Sequence, residues 1–355
     1  MELNQSRATY GGLRGLLDAL WRIHSRDDTA VLGVVIGSEG STYQKRGALV
    51  LLDANGLRHG VISGGCLEPA LEHAAQEVHA SGRAASVDFD TRSDEDLLFG
   101  SGIGCRGRVQ LLLLPLPPKS PLASALFAAM DLGSTVELSL AIEGTHAGAG
   151  YATFAAKYTM QQSTLGWDAF GHAAGLTLTN ALTVHVLPPP RLLLLGAGPE
   201  TPPLTAFARR LGWFVSVVEH RERWAIFTGA AQPDQLLDLA PAAAAARVGR
   251  EPADAIIVMS HNYAIDLQHL AFCARSDAAY IGLLGPAARR DALLAELPAD
   301  DLQRLEPRLH APVGLNLGGH GPEAIALAIS AELQRHFSTH WSANVMPSVH
   351  RSDAA

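Results

Sequence analysis

The sequence predicts an α/β protein of two domains. The first, over 1–188, is a mixed α/β cofactor domain. The second, over 189–340, has a parallel sheet with helices on both faces, and a short tail follows at 341–355. Three observations carry this reading. The chain has 355 residues, more than one hydrophobic core usually organises. Pro188-Pro189-Pro190 forms a stiff break without backbone donors. Beyond it, short apolar runs alternate with helix-length segments, the pattern of a parallel sheet.

The elements follow in chain order. Leu13, Leu16, Leu17, Leu20 and Trp21 recur at helical spacing and predict a helix over 11–24. "AVLGVVIG" (30–37) has the composition of a buried strand. "GALVLLD" (47–53), the turn "ANG" and "LRHGVIS" (57–63) form a hairpin pattern. A helix is expected from Leu67 to Ala80, then strands at 85–90 and 108–115. Over 116–188 the signal weakens. "PLASALFAAMDLG" suggests a helix, and "STVELSLAI", "YATFAAKYT" and "ALTVHVLPP" suggest strands, with 143–180 otherwise unassigned. In the second domain, strands are expected at "RLLLLGAG", 213–219, 254–260 and 279–285, and helices at 202–211, 264–276, 286–297 and 322–336.

Composition narrows the function classes. Apolar residues make up 48% and charged residues 17%, a normal balance for a folded protein. The net charge of −8 gives no general affinity for nucleic acid. The longest aliphatic stretches fall far short of the roughly 20 residues that span a bilayer, and Met1–Tyr10 lacks a signal-peptide core. Cys66, Cys105 and Cys273 are too few and scattered for a disulfide scaffold, which fits a reducing compartment. A cytoplasmic protein without membrane or nucleic-acid partners is the expectation.

In the second domain, Gly196-Ala197-Gly198 follows a strand of leucines and precedes a helix. In a Rossmann-like unit the first glycine makes the tight turn and the second admits a pyrophosphate to the backbone. Glu219, at the end of the next strand, is placed to meet ribose hydroxyls. The third fingerprint position holds Thr201 instead of glycine, and Pro199 removes an N–H from the turn. His261, in "SHNY" at a strand end, is a candidate contact. Arg289 and Arg290 are weaker candidates for facing an anion. The glycine-dense segment ending at Gly321-Pro322-Glu323 is a good helix start.

In the first domain, "GSEGSTYQKRGALVLL" combines glycines, hydroxyls and the cations Lys45 and Arg46, a composition suited to an anion. Cys66 follows Gly64-Gly65 at the mouth of a helix, where the macrodipole favours a thiolate. Cys105 lies in a second glycine loop, "FGSGIGCRGRVQ", flanked by Arg106 and Arg108. A zinc site would need four closely spaced ligands, which the sequence does not offer. A redox pair, a soft thiolate on a metal- or sulfur-bearing ligand, and a small buried cysteine in a tight turn all remain open.

Together, "GSEGSTYQKRGA", "HGVISGGCLE", "FGSGIGCRG", "GAG", "VMSHNYAIDLQHL", "YIGLLG" and "PVGLNLGGHGPEAIALAISAEL", in this order, resemble the XdhC/CoxI family of accessory factors for xanthine dehydrogenase and related molybdenum hydroxylases. The resemblance covers roughly 10–115 and 190–335. It implies a chaperone that binds the molybdenum cofactor (molybdopterin or a nucleotide-extended form), protects its sulfurated state and delivers it to the apo-enzyme, with a cysteine desulfurase supplying the sulfur. Such factors are not themselves hydroxylases. The family's cysteine in G-G-C-L-E falls on Cys66, which would meet the metal or its sulfido ligand, and the second on Cys105. Gly64 and Gly65 would admit the cofactor, with Lys45 and Arg46 on its phosphate.

The sequence departs from the family at four places. Cys105-Arg106-Gly107 stands for C-G-G, Pro199-Glu200 follows Gly198 where histidine is usual, Asn262 replaces an aspartate, and Asn316-Leu317-Gly318-Gly319 stands for D-I-G-A. The alternative is an NAD(P)-dependent oxidoreductase built on Gly196, Gly198 and Glu219 with His261 as proton donor. A scaffolding protein with degenerate sites is a third reading. A homodimer is the expected assembly.

Overall fold

The computed structural model describes residues 11–90, 107–144, 146–155, 162–175, 178, 181–225, 227–248 and 253–344. It forms two compact units, one ending at Pro188 and one spanning Pro189–Asn344.

The first unit opens with helix α1 (Gly12–His24), which buries Leu16, Leu17, Leu20 and Ile23. Trp21 is one residue, and so about 100°, round from Leu20; it faces outward and is 62% exposed. Strand β1 (Ala30–Gly40) pairs antiparallel with β2 (Leu49–Leu52) and with β5 (Gly107–Leu116). The short β3 (Arg58–His59) and β4 (Ala85–Asp90) complete a five-stranded sheet of order β3-β2-β1-β5-β4. The hairpin expected at 47–63 is present, but its second strand stops at His59, so 60–67 is released as a loop.

Alternation along β1 divides the core. Ala30, Leu32 and Val34 face α1, helix α3 (Pro121–Leu132) and a second sheet. Val31 and Val35 face helix α2 (Glu68–Ser81) through Leu71, Ala75 and Val78. Because the first part of β1 is covered on both faces, the run 30–36 is apolar without alternation. The second sheet is antiparallel, of order β8-β7-β6-β9, with β6 (Val136–Ala141), β7 (Gly150–Ala155), β8 (Gln162–Trp167) and β9 (Ala181–Val186).

The second unit is a doubly wound sheet with six parallel strands. They are β10 (Arg191–Leu195), β11 (Phe214–Val218), β12 (Gln235–Leu237), β13 (Ala255–Val258), β14 (Tyr280–Leu283) and β15 (Leu309–His310), in the order β12-β11-β10-β13-β14-β15. Leu192 and Leu194 pack against helices α4 (Thr201–Arg210) and α9 (Pro322–Asn344). Leu193 and Leu195 pack on the opposite face with α5 (Pro241–Val248), α6 (Tyr263–Cys273), α7 (Ala287–Ala295) and α8 (Ala299–Leu305). The run of four leucines is explained by helices on both faces. The strand order reverses between β10 and β13, so the crevice beyond their carboxyl ends is the place where this architecture puts ligands.

Candidate functional site

Of the glycine loops that the sequence offers, the Cys66 loop lies in the first unit and the Gly196–Gly198 turn in the second, and the two are built differently.

In the first unit, the loop 62–67 is clamped by two buried side chains. Ser63 donates its hydroxyl hydrogen to Glu68 Oε2, while its backbone N–H donates to Glu68 Oε1 at 3.0 Å. Ser63 Oγ then accepts from Gly65 N and Leu67 N, each at 3.1 Å. One donor and two acceptor sites exhaust the hydroxyl. Burial pushes the Glu68 carboxyl up, but the Ser63 hydroxyl and N–H outweigh it and hold the group below the usual carboxylate range. Glu68 is 4% exposed, so its charge anchors the loop and does not lie open beside the thiol.

Cys66 sits one residue before the α2 cap, Leu67, and its thiol is exposed and free. It lines a small cleft with Thr42, Tyr43, Phe89 and Gly107. Gly65 has φ +116°, a conformation that side chains rarely adopt, so glycine is required there. At both Gly64 and Gly65 an added Cβ would meet no atom of the described residues within 4 Å. Packing among the described residues therefore does not explain why Gly64 lacks a side chain. The opposite wall of the cleft is tight: a Cβ on Gly107 would lie 2.4 Å from Ser41 O.

Of the cations expected near Cys66, Lys45 donates to Thr42 Oγ1 at 3.0 Å. Arg46 turns elsewhere: its Nη2 donates to Thr183 O on β9 at 3.1 Å, and it lines a different cavity. Cys105 and Arg106 lie outside the described residues. Arg108 is committed to Asp88 and lies 3.7 Å from Glu39.

In the second unit, Gly196 has φ +92° and a Cβ there would lie 2.4 Å from Ser260 Cα, so β10 and β13 ends are in close contact. Every N–H of the Gly196–Gly198 turn has a partner within the chain. Gly196 N donates to Val218 O at 2.9 Å, Ala197 N to Glu219 Oε2 at 2.8 Å, and Gly198 N to Thr201 Oγ1 at 2.9 Å. Pro199 has none to offer.

Glu219 is 2% exposed and also accepts from Arg221 N, Nε and Nη2 at 2.8, 2.8 and 2.6 Å. With Ala197 N this makes four donors for the roughly four lone-pair sites of a carboxylate. Burial raises the Glu219 carboxyl, but the Arg221 side chain and the two backbone N–H groups prevail and hold it low.

Over Gly198, where a dinucleotide would bring its pyrophosphate, lies a side-chain pair. His261 Nε2 is 2.6 Å from Glu200 Oε1, and a Cβ on Gly198 would come within 2.4 Å of that histidine nitrogen. Glu200 is 3% exposed, and its hydrogen bond raises the His261 pKa above its ordinary value. The residues present do not fit a dinucleotide, because the chain's own side chains fill the place and use the donors.

Sequence reasoning noted Thr201 and Glu200 only as departures from a motif, not as partners that close this crevice, and missed Arg221 and Asp266. Buried Asp266 accepts from Ser260 N at 3.1 Å and from the Ser260 hydroxyl, and pairs with Arg289 Nη2 at 2.7 Å. That pairing, and an Arg290 Nη1 bond to Ala311 O at 2.8 Å, give the two arginines internal roles. His269 was also missed. Both its ring nitrogens are buried without a hydrogen-bond partner, and burial pushes its pKa down to about 4. Asp266 and His269 are three residues apart on α6, a spacing that puts them on one face. That spacing was the available signal.

Among the described residues, no group of three or more His, Cys, Asp or Glu is arranged to hold a metal ion. No helix among them is long and apolar enough to cross a membrane.

Comparison with known proteins gives a consistent picture. Residues 192–333 match the family model described as the XdhC Rossmann domain, and residues 23–90 match the XdhC and CoxI family. A probable xanthine dehydrogenase subunit of Bacillus subtilis (strain 168) is 31% identical over 336 residues, 91% of this chain and 97% of that protein. The molybdenum cofactor insertion chaperone PaoD of Escherichia coli (strain K12) is 24% identical over 307 residues, 86% of this chain and 82% of that one. The crystal structure of a xanthine dehydrogenase from Bacillus halodurans superposes with a TM-score of 0.75 at 28% identity, covering 94% of this chain and 98% of that one.

Proposed function

The chain belongs to the XdhC and CoxI family, and from that premise we propose that it is an accessory factor that binds the molybdenum cofactor, protects its sulfurated form and delivers it to a xanthine dehydrogenase-type apo-enzyme. The Cys66 loop carries this reading. It presents a free, exposed thiol beside two glycines whose missing side chains leave open space. A soft thiolate suits a metal that already carries sulfur ligands. The cofactor, when bound, would supply the molybdenum and dithiolene chemistry to the client enzyme. This chain's part is to hold the loop rigid through Ser63 and Glu68, offer the Cys66 thiol, and keep the approach clear at Gly64 and Gly65. A cysteine desulfurase as sulfur source and a homodimer as the working assembly belong to the same proposal.

The relative named for cofactor insertion supports the role by likeness over most of its length. The oxidoreductase reading draws no support from the second unit, where the glycine loop is filled by Glu219, Thr201 and the His261–Glu200 pair. The test is co-purification with a candidate molybdoenzyme, followed by molybdenum and pterin analysis of wild type and Cys66→Ala. The variant is expected to fold normally and lose the cofactor. Wild-type occupancy in Cys66→Ala would sink the proposal.

A further inference from the structure

A cavity of about 830 Å³ opens in the first unit beside the Cys66 cleft. Its wall runs from the first turn of α1 across the β2–β3 hairpin to the end of β9. Arg46, Arg58, His59 and His185 line it, and among the described residues no aspartate or glutamate does. Each arginine has a partner within the chain. Arg46 Nη2 donates to Thr183 O at 3.1 Å, leaving its Nε buried without a partner. Arg58 pairs through Nη1 with Glu72 at 3.0 Å. Among the described residues no side chain caps the α1 N-terminus, whose first residues also line the cavity, so its N–H groups add partial positive charge there. Burial, aided by Arg22 and opposed by Asp53 and Asp18, holds the His59 pKa below its ordinary value. An anion in the cavity would reverse that direction.

Size narrows the ligand class. A cavity of this volume falls in the range of small-molecule sites, about 300–1,000 Å³, and exceeds what an inorganic ion fills. Cations, a helix N-terminus and no carboxylate select a multiply charged oxyanion such as a phosphate monoester. The cavity and the Cys66 cleft are neighbours: Tyr43 lines both, and Val61 of the cavity precedes Ile62 of the cleft.

We propose that this cavity seats the phosphate-bearing end of a small ligand whose other end reaches Cys66. Resting on the cofactor reading above, that ligand is the phosphorylated pterin. The cation set is thus Arg46, Arg58 and His59, while Lys45 stays with Thr42 at the cleft.

The experiment measures binding of isolated molybdopterin, by its pterin fluorescence, to wild type, Arg46→Gln, His59→Gln and Cys66→Ala. Inorganic phosphate serves as competitor, and the His59 ring resonances serve as a second readout. Loss of a charge-assisted bond predicts about tenfold weaker binding for each cavity variant. Phosphate is expected to compete with the pterin in wild type, and to raise the His59 pKa in both wild type and Cys66→Ala. His59→Gln keeps the result interpretable if Arg46→Gln, which loses the Thr183 bond, folds poorly. If wild type binds the pterin and both cavity variants bind within twofold of it without phosphate competition, the cavity assignment is overturned and the cofactor reading stands. If wild type binds no pterin yet phosphate still shifts His59, the cofactor reading fails and the anion site remains. If wild type shows neither response, both are refuted.

Discussion

Replacing Arg221 with alanine should destabilise the second unit through the carboxylate it leaves behind. Glu219 is 2% exposed and accepts four hydrogen bonds. The substitution removes the two from the guanidinium, at 2.8 and 2.6 Å, and a third from Nη2 to Ala197 O at 3.2 Å. The backbone donors Arg221 N and Ala197 N stay. Stripping one partner from a buried ion pair costs about 3–5 kcal/mol. The Arg221 side chain is 22% exposed, and water can reach part of the vacated space, so the low end, about 3 kcal/mol, is the expectation. For a unit of this size each kcal/mol lowers the midpoint by about 2–4 °C, giving a drop of about 6–12 °C.

The assay is thermal and denaturant unfolding at pH 7, with Glu219→Gln and the double variant Glu219→Gln/Arg221→Ala alongside. The double variant has no stranded charge and should be less damaged than the sum of the singles. The sign with pH follows from the depressed Glu219 pKa. Its contribution is full above the ordinary glutamate value and fades as pH falls through the folded value. Arg221→Ala should therefore show a smaller acid-induced loss than wild type. An Arg221→Ala variant within about 0.5 kcal/mol of wild type, or strictly additive singles, would refute the clamp.

Four further outcomes follow from the same geometry. Cys66 should react with a thiol reagent in the native protein, whereas Cys273, fully buried with its thiol pushed up by desolvation, should react only after unfolding; peptide mapping that finds native labelling at Cys273 contradicts this. Gly64→Ala should leave stability within about 0.5 kcal/mol yet reduce cofactor occupancy, whereas Gly65→Ala, at φ +116°, should cost about 1–3 kcal/mol; full occupancy in Gly64→Ala by pterin analysis would count against the open-space argument. Added NADH or NADPH should not shift the unfolding midpoint, although a dinucleotide at 100 times its Kd would stabilise by about 2.7 kcal/mol; a clear dose-dependent shift would mean the glycine loop opens. The His261 pKa is raised by Glu200, so the pair stabilises fully below the ordinary histidine value and the gain is lost as pH rises through the folded one; His261→Gln should flatten that part of the stability–pH profile, and an unchanged profile rejects the pair as its source.

The fold was legible where periodicity or continuous apolarity was strong. The four leucines of β10 and the valines of β1 announced strands covered on both faces, and α1 and α2 lie within a residue or so of the expected segments. What stayed hidden had weak local signals. Strand β8 begins Gln-Ser-Thr on an exposed edge, so it lacks an apolar alternation, and only Trp167, whose Nε1 donates to Gly148 O at 3.0 Å, is buried along it. The two- and three-residue strands β15 and β12 are defined by neighbours, not by their own residues. In the candidate sites, residue types were readable and partners were not. Glu200 and His261 are 61 positions apart and meet only because β10 and β13 are adjacent. Nothing local in Lys45-Arg46 tells that one side chain stays with Thr42 while the other crosses to β9.

The two glycine loops show why a motif alone could not decide the ligand. Both follow a strand-like apolar run, both precede a helix, and in both a buried glutamate accepts a backbone N–H of the segment. What differs is the space over the glycines. At Gly198 a Cβ would strike His261 and Glu200, so the absent side chain accommodates a contact within the chain. At Gly64 a Cβ would strike no atom of the described residues, so the absent side chain serves no contact among them. A glycine explained by internal packing gives no evidence for a ligand. At Gly64 neither packing among the described residues nor backbone strain supplies that explanation, and an exposed thiol lies two residues on; the proposal for Cys66 rests on this asymmetry.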